Sequence, residues 1–308
     1  MNLCVEETVR FSAVGNAPGP RADNQRPVFD PRGGFVASAA EYDPHVHIFG
    51  ETGLRKAEIE CTARRVVYSP SGRALLASSV GSVTVFRTDD ASFLFTLSGF
   101  PGPLHDEEVT VEAAFSPDER RIVCGGCRGF AGIWDTSGRL LHSLSLGSFE
   151  ITRIEFIGRE NRAALCTLDE RLSLLDAETG EVLRTADSGG AFLCASPDGK
   201  NLYLSPFGDS NQVVVWDVES WSRCGDFRLP EGRGCEGIRV SPDGSLLAAG
   251  GSSGVMLFSL PDRRLLWDAP ELSTGYFEDR SLAFSPDSRT LCAGKGAFLH
   301  MLALRREP

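Results

Sequence analysis

The sequence predicts an all-β fold, a seven-bladed β-propeller of four-stranded antiparallel blades, on three observations. A short Pro-centred turn or its degenerate copy recurs seven times, from Phe29 to Phe284, with a mean spacing of about 42 residues, the size of one propeller blade. Each copy is flanked by runs of alternating polarity rich in β-branched residues, which read as strands. No window of about 11 residues keeps apolar residues at helical spacing without an interrupting Gly or Pro.

The seven turns are "FDPRG" (Phe29), "YSPSG" (Tyr68), "FSPDE" (Phe115), "FIGRE" (Phe156), "ASPDG" (Ala195), "VSPDG" (Val240) and "FSPDS" (Phe284). Ser and Asp bond nearby backbone, Pro presets φ and Gly supplies φ > 0, so the chain reverses. A first strand precedes each turn ("VFD", "RVVY", "VEAAF", "RIEF", "FLCA", "GIRV", "SLAF"), and a second follows it, as in "LLASS" or "LLAAGG". The third strands read "SVTVF", "FAGIWD", "RLSLLD", "QVVVWD", "GVMLF" and "FLHML", and runs such as "RLLHSL" and "EVLRTA" supply a fourth.

The chain reads as one domain over residues 1–308, with blades at about 26–60, 61–99, 107–146, 149–187, 190–229, 234–269 and 279–304. The seventh copy holds only three strands, which would leave an exposed edge beside an apolar sequence. The unmatched N-terminal run "CVEETVRFSAV" has the length and alternation of an outer strand with one face toward solvent. Residues 1–14 are therefore expected to complete the last blade, with Val5 to Phe11 pairing with Phe298 to Leu304 and closing the ring.

With Trp134-Asp135 and Trp216-Asp217 ending third strands, and the "FSPD"-type turns before them, the chain resembles the WD-repeat family of β-propellers from about Arg26 to Leu304. That resemblance implies a buried network joining a His, a turn Asp, a strand Ser or Thr and the Trp. The family's Gly-His dipeptide is missing, with His105 as a displaced version, and the turn Asp is present only as Asp43, Asp169 and Asp209. The network is expected to be largely absent, leaving apolar packing between sheets to hold the blades.

Composition narrows the function classes. A formal charge of −11 and a pI near 5.0 oppose non-specific nucleic-acid binding, which needs clustered Lys and Arg. No apolar run spans a membrane and the N-terminus lacks signal-peptide regions, so a cytoplasmic address is expected. Nine Cys, with Cys124, Cys166, Cys194 and Cys292 inside apolar strands, fit a reducing compartment. "CGGC" at Cys124 to Cys127 lacks the second ligand pair of a closed zinc site, "GKG" at Gly294 lacks phosphate-loop spacing, and no cofactor is expected.

No catalytic set declares itself. Of five His, His47 and His300 fall in third strands, His142 in a fourth, and His45 and His105 in or near loops without a nucleophile motif beside them. The carboxylate runs at Asp106 to Glu108 and at Asp89 and Asp90 read as solvated loop charge. The copy from Ala195 to Ser220 also resembles repeats of propeller lactonases, which implies a hydrolase site of polar side chains at the central channel. The charges best placed there are Glu112, Arg153, Glu155 and Arg239.

A propeller without a reactive centre works through loops held on rigid sheets. Turns between second and third strands contribute Tyr42, His45, Arg128, Phe130, Arg171 and Phe207, and the long links Gly99 to Glu108 and Glu271 to Arg280 add Phe100, Tyr276 and Phe277. Aromatic and Arg side chains anchor interfaces. The expected function is a non-enzymatic, monomeric module that binds a protein or peptide, with no nucleic-acid or membrane partner. A lactonase-type hydrolase and a sensor domain of a larger system remain alternatives.

Overall fold

In the computed structural model, which describes residues 2–13, 26–40, 43–100, 111–187, 190, 192–206, 211–235, 237–251, 253–273 and 281–307, the recurring turn does what its composition requires. Ser116 Oγ donates to Asp118 Oδ1 at 2.6 Å and accepts the Arg121 N–H at 2.9 Å, while Asp118 Oδ1 accepts the Arg120 N–H at 3.0 Å. The same three bonds recur at Ser196 and Asp198, at Ser241 and Asp243, and at Ser285 and Asp287. In the first copy Asp30 takes the Ser position and accepts the Arg32 N–H at 2.8 Å. In the fourth, Ile157 replaces Ser and only the backbone bonds remain.

These turns carry a testable acid sensitivity. The Ser196 and Ser285 hydroxyls, then backbone N–H groups, hold the carboxyls of Asp198 and Asp287 below their ordinary value of 3.8. At Asp118 and Asp243 burial pushes upward, but hydroxyl and other hydrogen bonds outweigh it and the net shift is again downward. A depressed folded-state pKa adds stability above the unfolded value and loses it as pH falls through the folded one. Urea midpoints should therefore be flat down to about pH 5 and fall increasingly below about pH 4. The fall should be shallower in a Ser196→Ala, Ser285→Ala variant, and equal slopes would contradict this assignment.

Each turn joins the first two strands of a four-stranded antiparallel sheet. The first sheet is β2 (Arg26–Phe29), β3 (Phe35–Ala39), β4 (His45–Gly50) and β5 (Arg55–Glu60). The second is β6 (Arg65–Tyr68), β7 (Ala74–Ser79), β8 (Ser82–Arg87) and β9 (Phe93–Thr96). The third is β10 (Glu112–Phe115), β11 (Arg121–Gly125), β12 (Phe130–Asp135) and β13 (Leu140–Ser145). The fourth is β14 (Ile151–Phe156), β15 (Arg162–Thr167), β16 (Arg171–Asp176) and β17 (Val182–Asp187). The fifth is β18 (Phe192–Ala195), β19 (Asn201–Ser205), β20 (Gln212–Asp217) and β21 (Ser222–Arg228). The sixth is β22 (Gly237–Val240), β23 (Leu246–Gly251), β24 (Gly254–Ser259) and β25 (Arg264–Ala269).

The seventh sheet runs β1 (Asn2–Ser12), β28 (Phe298–Glu307), β27 (Thr290–Lys295) and β26 (Leu282–Phe284), so both chain ends share one blade. Val5 lies opposite Leu304 and Phe11 opposite Leu299, as the alternation predicts, and the pairing extends outward to Asn2 and Glu307. A bulge between Glu7 and Val9 shifts the register, and the intervening Thr8 donates its hydroxyl to the Met301 carbonyl at 3.1 Å. The fold is the seven-bladed β-propeller that the period predicts. Its only helical pieces among the described residues are two short 3-10 turns, Cys127–Gly129 and Pro270–Leu272.

Burial follows strand position. Second and third strands are buried on both faces, as in β23 and β24, where every residue is buried; fourth strands such as β17 are largely exposed. Among the described residues, five third-to-fourth strand pairs carry a bulge near the third strand's end, for example between Ile133 and Trp134. The extra residue sharpens local twist.

The first, sixth and seventh sheets belong to one compact unit; the third, the fourth and most of the second and fifth belong to another. In the former, Leu3 and Val5 of β1 pack on a core shared by the sixth and seventh sheets, and Val9 and Phe11 on one shared by the first and seventh. In the latter, apolar clusters join the second sheet to the third, the third to the fourth, and the fourth to the fifth.

All nine Cys are free, and burial raises the Cys124 and Cys292 thiols well above their ordinary value. Among the described residues no helix is long and apolar enough to cross a membrane.

Candidate functional site

Two turns on neighbouring sheets place the most accessible of the predicted loop residues. Between β11 and β12, Arg128 is exposed while its neighbours Cys127 and Gly129 are buried. Its φ of 55° and that of Glu170 in the β15–β16 turn, 62°, both lie in the left-handed region. Arg171, which follows Glu170, is also exposed. Among the described residues neither the Arg128 nor the Arg171 side chain has a hydrogen-bond or ion-pair partner, leaving both guanidinium groups to solvent.

A backbone ladder fixes the two turns through the link between them. Leu146 N–H donates to Gly129 O at 2.8 Å, Ile151 N–H to Gly126 O at 3.0 Å, and Leu168 N–H to Glu150 O at 3.0 Å. The close approach depends on glycine, because a Cβ on Gly129 (φ +64°) would stand 2.5 Å from the Gly147 carbonyl oxygen. The same link carries Phe149, which is 49% exposed. Two unpaired Arg and one exposed aromatic thus sit on a hydrogen-bonded frame, the residue types that anchor interfaces.

Phe149 was not among the sequence-predicted residues. The available signal was an aromatic residue after Gly147-Ser148 in an inter-blade link, but attention to the longest links passes over this short one.

Other loop candidates have different surroundings. Phe130 is buried and Phe100 half-buried, and both close over Trp134, with ring centroids of 6.3 Å and 4.9 Å respectively. They fold back onto the blade. His45 lies between Asp43 and Glu58, its Nδ1 3.6 Å from Asp43 Oδ1 and its Nε2 3.3 Å from Glu58 Oε1. Tyr42, Phe207, Tyr276 and Phe277 lie outside the described residues.

Of the first-strand charges, Glu112 on β10 is fully buried, and Arg153 on β14 is buried and ion-paired with half-buried Glu155 on the same strand. Arg239 on β22 donates from Nη1 to the Ile238 carbonyl at 2.6 Å. The structure brings Arg153 and Glu155 together as a mutually neutralising pair.

The Trp-Asp motifs act within their blades. Trp134 is fully buried and donates from Nε1 to the Ser98 carbonyl at 2.7 Å. Asp135 accepts from the Ser137 hydroxyl at 2.6 Å and from the Ser137 and Arg139 N–H groups, closing the turn into β13. Those bonds, the Ser137 hydroxyl first, lower its carboxyl from 3.8 to about 2. The polar network expected to be largely missing survives locally: buried Asp43 holds His47 Nε2 at 2.9 Å, and Asp169 accepts from the Thr167 hydroxyl.

No family model matches the chain, and a search among curated proteins finds no match.

Proposed function

We propose that the chain is a non-enzymatic interaction module, of the kind WD-repeat propellers provide, that binds a protein or peptide through the loop surface holding Arg128, Phe149 and Arg171. The observation that carries this reading is that Arg128 and Arg171, exposed and without a partner among the described residues, stand on turns tied to one link by backbone hydrogen bonds. Elsewhere, Arg side chains such as Arg121, Arg139 and Arg233 are spent on neighbouring carboxylates. A surface with two free guanidinium groups beside an exposed phenyl ring suits an acidic segment with an apolar residue, because Arg pairs carboxylates bidentately while the ring supplies dry contact. Rigid sheets under the turns limit the ordering entropy lost on binding.

The test is affinity purification from cells with the full chain as bait, followed by binding of the purified partner. Arg128→Glu with Arg171→Glu should abolish stoichiometric co-purification and weaken the purified pair at least tenfold, by about 1.4 kcal/mol or more, with melting unchanged. Binding that survives the double reversal would show that another surface is used. Lactone hydrolysis by the same preparation with divalent ions, lost on Glu112→Gln, would replace this reading with the hydrolase.

A further inference from the structure

Between the sixth and seventh blades lies a cavity that the loop reading does not use. Its volume is about 730 Å³, and its walls include Asp243 of the β22–β23 turn, Asp287, Ser288 and Arg289 of the β26–β27 turn, and Arg305 and Arg306 near the end of β28. The volume is that of a small-molecule site, but such sites are mostly apolar and these walls are mostly polar. Charge and hydrogen bonding therefore select the occupant.

The cations are held in ways that leave donors unspent. Arg306 shares a face of β28 with Leu304, which packs in the core common to the sixth and seventh sheets. Its Nη2 donates to Asp243 Oδ2 and, at 2.7 Å, to Ser245 Oγ. Both hydrogens of that nitrogen are then used, while Nε and Nη1 keep three N–H with no acceptor among the described residues. The Arg289 side chain has no hydrogen bond or ion pair among the described residues. Its charge still reaches Asp287, whose carboxyl is lowered first by the Ser285 hydroxyl, against burial, and then by the Arg289 N–H and guanidinium. Arg305 is tied to Glu6 at 3.3 Å, with both side chains more than half exposed, so this pair is easily exchanged.

Ser288 adds a buried donor. It is 4% exposed, and its Oγ accepts the Asp243 N–H at 3.1 Å, which leaves the hydroxyl hydrogen without an acceptor among the described residues. Asp287 commits Oδ1 to the Ser285 hydroxyl at 2.6 Å and to the Arg289 N–H at 3.0 Å, so Oδ2 remains as an acceptor. Three guanidinium groups against two carboxylates give the walls one net positive charge. We infer that this cavity binds a small polyhydroxylated carboxylic acid, with Arg289 and Arg306 on its carboxylate and Ser288 and Asp287 on its hydroxyls. Guanidinium groups pair carboxylates through two parallel N–H bonds, and one net charge matches a monoanion. A phosphate monoester, at about −1.5 to −2, would exceed it.

The experiment is calorimetric titration of the full chain with glucuronate, glucose and glucose 6-phosphate, which differ only at the sixth carbon. Glucuronate should bind saturably, one per chain, and more tightly than glucose 6-phosphate, while glucose should not saturate. Arg289→Ala, at an exposed position, should weaken glucuronate binding at least about tenfold with melting unchanged. Arg306→Lys, which keeps the charge but loses the planar fork, should weaken it as well. Arg87→Ala, which removes an exposed Arg from the second blade, should bind as the parent chain does. Absence of saturable glucuronate binding, glucose 6-phosphate binding as tight or tighter, or parent-like affinity in both the Arg289 and the Arg306 variant would overturn the assignment.

Discussion

Deleting residues 1–12 should lower the folding stability of the chain by about 4 kcal/mol or more, taking half the full-burial value for each of four partly buried apolar side chains. Those side chains are Leu3 and Val5, packed toward the sixth sheet, and Val9 and Phe11, packed toward the first. Phe11 meets Phe49 at 4.9 Å between ring centroids, and its ring fills the space beside Gly53, where a Cβ would stand 2.7 Å from it. The deletion also exposes the β28 edge and removes Glu7, whose Oε1 lies 2.6 Å from Nδ1 of the buried His300. An uncovered edge beside an apolar strand should bring aggregation with the loss of stability. Urea denaturation of the truncated and parent chains measures the effect, and an unchanged midpoint would mean that β1 is a dispensable tail.

The second large effect belongs to Trp134. Trp134→Ala should cost about 3–5 kcal/mol, because it empties a fully buried site that Phe100 and Phe130 close. Trp134→Phe keeps much of the packing but leaves the Ser98 carbonyl without its indole donor, a further loss of about 1–3 kcal/mol. Trp216 provides the comparison. It ends the corresponding third strand and is 7% exposed, but its Nε1 has no hydrogen-bond partner among the described residues. Trp216→Phe should therefore be the milder of the two Phe substitutions, and equal losses in denaturation would show that the Ser98 bond contributes nothing.

The architecture was legible because its signals are local and repeated. Ser, Pro, Asp and Gly at fixed offsets define a hairpin without reference to anything distant, and seven spaced copies fix the blade count. Even the β1–β28 pairing follows from a strand missing at one end and an unmatched strand at the other. The turns that carry Arg128 and Arg171 were legible for the same reason, since they belong to the repeat.

What depended on contacts between copies was not legible. Phe100 and Phe130 read as interface aromatics, but Trp134 needs a cover and they supply it. Phe149 gains its meaning from the Gly129–Gly147 approach, which no local pattern announces. The His47–Glu58 juxtaposition depends on cross-strand register, and the bulge between Ile48 and Phe49 shifts that register by a residue, which spacing alone does not show. Asp43 likewise read as an isolated relic of a family network; its partner came from the strand next to it.

A complete seventh blade rests on a frame in which the chain's two ends form one sheet. Amide hydrogen exchange on the intact chain tests that frame most directly. As an edge strand, β1 should show protection at alternate amides between Leu3 and Phe11, those facing β28, and β28 should be protected on both sides to the level of β27. Exchange of β1 at the rate of an unstructured peptide, with β28 protected on one side only, would contradict the closed blade.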